Sequence, residues 1–102
     1  MKPLLQLQAD AAAYVQVHSA AARWSPRTAS SIARQAVELL GRYGQYPGKR
    51  EDLERVLVGL ISPTIWLVLR WLVPIIVRLV IDWWFAELEL ERHIRRCSEG
   101  TD

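Results

Sequence analysis

The sequence predicts an all-α protein: three short amphipathic helices followed by one long, Pro-kinked hydrophobic helix that reads as a single transmembrane span. Three observations lead there. Apolar residues recur every three or four positions through most of the first 61 residues, on an alanine-rich background that favours helix. Two Ser-Pro pairs, Ser25-Pro26 and Ser62-Pro63, join a good helix cap to a residue tolerated at the first helical position. From Thr64 to Ile81, twelve of eighteen residues are Leu, Ile or Val, and only Arg70 and Arg78 are charged.

The first helix is expected from about Pro3 to Trp24, with Leu4, Leu7, Ala11, Tyr14, His18 and Ala21 on one face. Ser25-Pro26 ends it and starts a second helix, to about Gly41, whose apolar face is Ile32, Ala36, Val37, Leu40 and Tyr43. Gly41, Gly44 and Pro47-Gly48 stop that helix, and Tyr43 to Lys49 form a loop. The third helix spans about Arg50 to Ile61. Leu53, Val56, Leu57, Leu60 and Ile61 make its stripe, opposite Glu51, Asp52, Glu54 and Arg55.

The fourth helix is expected from about Pro63 to Cys97, with a kink at Pro74, which removes a backbone bond. Pro63 to Phe85 is about 34 Å of helix at 1.5 Å per residue. A hydrocarbon layer is roughly 30 Å thick. Each branched apolar residue favours insertion by about 0.3–0.6 kcal/mol, and a central arginine opposes it by about 2.5–3.5 kcal/mol. The balance for an isolated helix is slightly favourable. Trp83, Trp84 and Phe85 are expected as interfacial anchors. Trp66, Arg70, Pro74, Arg78 and Asp82, four residues apart, are expected as an assembly ridge on which Arg78 and Asp82 pair. Arg70 has no acid one turn away, so it needs a partner beyond its own helix.

Three segments follow: a helical surface domain at 1–56, the short amphipathic end and membrane-seated helix at 57–86, and a charged helical tail at 87–102. Their net charges are uneven. Residues 1–56 carry eight Lys/Arg against five acids, whereas residues 82–102 carry six acids against three Arg. Four basic residues before the span (Arg42, Lys49, Arg50, Arg55) against three after it (Arg92, Arg95, Arg96) place the N-terminus inside. Residues 1–37 share the arginine-bearing, acid-poor composition of a mitochondrial-type presequence, with Asp10 their one acid. An ordinary amphipathic helix pair is the reading adopted.

No constellation for catalysis is expected. Glu87, Glu89 and Glu91 splay apart on a helix, His18 falls on an apolar face, and no phosphate loop or nucleophile elbow occurs. His93 and Cys97 have helical metal-ligand spacing, but two further ligands are missing, so neither metal nor cofactor is expected. Cys97 is the single cysteine and is a candidate for acylation or an intermolecular disulfide. Arg23, Arg27, Arg34 and Arg42 are spread over several turns, which argues against nucleic acid as a partner.

The expected function is therefore non-enzymatic. It is association with protein subunits, self or other, through the hydrophobic helix, and with a lipid bilayer. An accessory or assembly subunit of a membrane complex fits, as does a self-assembling, holin-like membrane protein. The competing expectation is a soluble helical oligomer serving as an adaptor or structural subunit. Both rest on one premise: the stretch from Pro63 to Trp84 carries more apolar surface than its own chain can cover.

Overall fold

The computed structural model describes residues 2–43 and 49–99, with side chains through residue 94. Among these residues every regular element is a helix and there is no strand. The expected loop at Tyr43 to Lys49 falls mostly on residues 44–48, which lie outside the described residues.

The first helix is broken in two, α1 at Leu4–His18 and α2 at Ala20–Trp24. Ser19 makes the break. Its backbone is extended, its N–H donates to Val15 O at 3.0 Å, and its hydroxyl accepts from Ala22 N at 3.4 Å. One serine thus closes one helix and caps the next, a role serine takes more readily than a helix interior. Ser25 accepts Ala29 N–H at 2.9 Å, and Pro26 opens α3, Pro26–Tyr43, as the Ser-Pro signal predicts. Gly41 does not stop α3, which continues through it to Tyr43.

Helices α1 and α3 lie antiparallel. Gln8 Nε2 donates to Arg34 O and Gln16 Nε2 to Pro26 O, both at 3.1 Å, so rising numbers on one helix meet falling numbers on the other. Leu7, Ala11 and Val15 are buried against the buried Ala29, Ala33 and Ala36 of α3, and the small side chains allow close approach. The expected face of the first helix is rotated. Leu4 and His18 are exposed, and His18 packs its ring 4.1 Å from that of half-buried Tyr14.

Helix α4 spans Arg50–Ile61, the expected bounds. Glu51 and Asp52 occupy its first turn, where negative charge complements the helix dipole. Leu53, Leu57 and Ile61 are buried, while Val56 and Leu60 of the expected stripe face outward.

The long fourth helix does not start at Pro63. Two 3-10 turns, Ser62–Thr64 and Leu67–Leu69, precede α5, Leu72–Glu99. Pro74 supplies the reason. In a helix running through residue 70, the proline ring would collide with the Arg70 carbonyl, and Pro74 has no N–H to offer it. Arg70 O instead accepts the Val73 N–H at 3.1 Å, closing a shorter turn. The residues left between Pro63 and Pro74 form only the two short 3-10 turns and bury little of their surface, so they lack the packing that sustains a short helix. Pro74 is accordingly the third residue of α5, not a mid-helix kink. At that position its missing N–H has no intrahelical acceptor to lose.

The span expectation falls with the same break. The apolar part of α5, Leu72 to Phe85, is about 21 Å long at 1.5 Å per residue, short of the roughly 30 Å of a hydrocarbon layer. Among the described residues no helix is long and apolar enough to cross a membrane. Leu72, Val73, Ile76, Val77, Val80 and Ile81 are instead buried in a core that draws on every α-helix. Helix α5 packs on α1, α2, α3 and α4.

Candidate interaction surface

The tip between α4 and α5 carries the longest run of consecutive exposed large apolar side chains among the described residues. Ile65 is buried and Leu69 half-buried, so these two fasten the segment to the core. The residues between and after them point away. Trp66 is 82% exposed, Leu67 75%, Val68 78%, Trp71 47% and Ile75 40%. Thr64 Oγ1, 2.7 Å from Ile61 O and 3.1 Å from Gln35 Oε1, holds the base of the tip to α3. Exposed Val56 and Leu60 continue the apolar surface down α4.

Helices α4 and α5 run antiparallel below the tip. Arg50, at the start of α4, reaches Asp82 at 3.5 Å and stands 4.5 Å from the centroid of the Phe85 ring. Val58 shares a surface hollow with Pro74. Residues 54 and 55 therefore lie level with residues 78 and 77.

The expected ridge is divided by this geometry. Pro74, Arg78 and Asp82 are exposed along the outer face of α5. Trp66 and Arg70 are exposed too, but they belong to the irregular segment before it. Asp82 pairs with Arg50 and not with Arg78. Neither Arg70 nor Arg78 forms an ion pair among the described residues. Of the expected anchors, Trp83 and Trp84 are buried in the core with ring centroids 6.3 Å apart, and Phe85 is half-buried under Arg50.

No family model, curated protein or solved structure matches the chain.

A second hollow, of about 130 Å³, lies between the start of α1 and the second half of α5. Leu7, Trp84, Leu88 and Ile94 line it, with Lys2 at the rim. Lys2 Nζ is held by Asp10 at 3.2 Å and Glu87 at 3.9 Å, so its charge is already answered. Glu87 faces Lys2, and Glu91, one turn further on, lines the same hollow, so these two of the three glutamates share a face and do not splay apart. No three metal-ligating side chains converge among the described residues. The Cys97 side chain lies outside the described ones, so the expected spacing with His93 does not bear on the site. Of the dispersed cations, Arg23, Arg27, Arg34 and Arg42 are exposed, and Arg42 pairs with Glu38 at 3.0 Å.

Leu67, Val68 and Trp71 lie outside the five-residue ridge expected from the sequence. The signal for them was the spacing of Pro63 and Pro74. A greasy segment enclosed by two helix breakers has no regular face with which to bury itself.

Proposed function

We propose that this chain is a non-enzymatic helical bundle that acts by association, as an accessory or assembly subunit, with the α4–α5 tip as its docking surface. One observation carries the proposal. Trp66, Leu67 and Val68 are consecutive and each at least three-quarters exposed, although the chain has a core to put them in. Single exposed apolar residues are ordinary, but a contiguous patch with two tryptophans marks a surface that meets something else. The tip replaces the spanning anchor as the element that engages a partner.

Fractionation of expressing cells tests this. The native chain should be recovered in a membrane pellet or in a complex larger than its own 11.7 kDa. The double variant Trp66→Ser/Val68→Ser, which leaves every buried residue in place, should be recovered as a free monomer. A native chain that behaves as a free monomer would overturn the proposal.

A further inference from the structure

We infer that the tip docks on an anionic lipid surface, with Trp66, Leu67 and Val68 entering the headgroup–acyl boundary and Arg55, Arg70 and Arg78 meeting lipid phosphates. This inference rests on the association proposal and names its partner.

The charge pattern supports it first. Between Glu54 and Asp82 the sequence has no acid and three arginines, Arg55, Arg70 and Arg78. All three are exposed, and Arg70 and Arg78 form no ion pair among the described residues. Such a patch is complementary to negative charge. It opposes pairing with a second copy of itself, because a two-fold contact would bring one arginine-bearing face against another.

Depth supports it second. Arg78 is six residues into α5 from Leu72, and Arg55 six residues back along α4 from Ile61. At 1.5 Å per residue each lies about 9 Å below the end of its helix. The antiparallel pairing sets them within one residue of level, so they form a cationic belt beneath an apolar crown. An apolar element that settles at a bilayer interface is buried by roughly 5–10 Å. The crown fits that depth with the belt of Arg55 and Arg78 at the phosphates, and Arg70, which lies within the crown, reaches them along its long side chain. Asp82 stands one turn beyond the belt and is paired with Arg50, while Glu54, half-buried beside Arg55, is the one acid level with it. Tryptophan is the side chain most suited to this zone, since its ring is apolar and its N–H remains hydrated.

Vesicle co-sedimentation with the purified full chain tests the inference. The probes are phosphatidylcholine vesicles and vesicles of phosphatidylcholine with equimolar phosphatidylglycerol. The native chain should bind the anionic vesicles, bind the neutral ones far less, and be released by raised salt. Trp66→Ser/Val68→Ser should abolish binding. Arg70→Gln and Arg78→Gln should each weaken it about five-fold. All four positions are exposed, and unchanged urea midpoints confirm that the variants fold. Equal, salt-insensitive binding to both vesicles would overturn the anionic assignment. A discrete dimer in solution that ignores vesicles would overturn the lipid partner and leave association standing. A monomer that ignores both vesicles would overturn the lipid inference, and the cell fractionation above separately decides the association proposal.

Discussion

Replacing Pro74 by alanine gives opposite results for a helix kink and for a helix start. A proline inside a helix costs about 3 kcal/mol relative to alanine, so Pro74→Ala in a kinked span would stabilise the fold by about that amount. In the structure Pro74 is the third residue of α5, its ring is exposed, and the Arg70 carbonyl is already taken by Val73 N–H. Alanine there gains no intrahelical bond, because the N–H at that position has no acceptor within its helix. It loses the stiffness that proline gives the unfolded chain, worth about 0.4–1 kcal/mol. With a urea m-value of about 2 kcal/mol/M, the unfolding midpoint should fall by roughly 0.2–0.5 M. A kinked helix would instead give a rise of about 1.5 M. Urea unfolding followed by far-ultraviolet circular dichroism reads the difference. A rise above about 1 M would refute the placement of Pro74 at the start of α5.

Two further substitutions probe the packing beneath the tip. Ile76→Ala removes a fully buried side chain and should destabilise by about 2–5 kcal/mol, whereas its outward-facing neighbour Ile75→Ala should cost under about 1 kcal/mol. Equal urea midpoints for the two would mean that the faces of α5 are misassigned. Arg50→Ala removes both the contact with Phe85 and the ion pair with Asp82, each about half exposed at the ion pair, so the loss should be about 0.5–1 kcal/mol. Thermal unfolding of Arg50→Ala and Asp82→Asn, at low and high salt, separates the two contributions. A loss in Asp82→Asn as large as in Arg50→Ala would assign the effect to the ion pair alone.

The bounds of helix α4 were legible because the local signals agreed there, although Val56 and Leu60 of its expected stripe face outward. Acids occupy its first turn, Leu53, Leu57 and Ile61 repeat at four, and Ser62-Pro63 closes it. Ser19 was not legible. It sits in a run of alanines whose helix propensity masks a residue that caps as readily as it continues. The start of α5 was within reach of the sequence. Counting four residues back from Pro74 identifies the Arg70 carbonyl as the group that cannot be bonded, and so excludes a helix through it. Taking Pro63 as the start turned Pro74 into an interior residue and hid that count. Which half of the apolar stretch would be covered was beyond local reading. Leu72 to Ile81 and Ile65 to Trp71 are similarly hydrophobic, and only the placement of α3 and α4 decides that the first is enclosed. The pairing of Arg50 with Asp82 and Phe85 is equally tertiary, since more than thirty residues separate them.

The burial of Trp83 and Trp84 has a practical consequence. With Trp24, Trp66 and Trp71 on the outside, the indoles divide into an enclosed pair and a solvent-facing set. Iodide should quench the outer set and spare the pair until the core opens. A membrane or protein that covers the tip would shield Trp66 and Trp71 while leaving Trp24 open to the quencher. The molecule thus carries two optical channels of its own, one reporting the integrity of the bundle and the other reporting occupancy of its surface, with no added label.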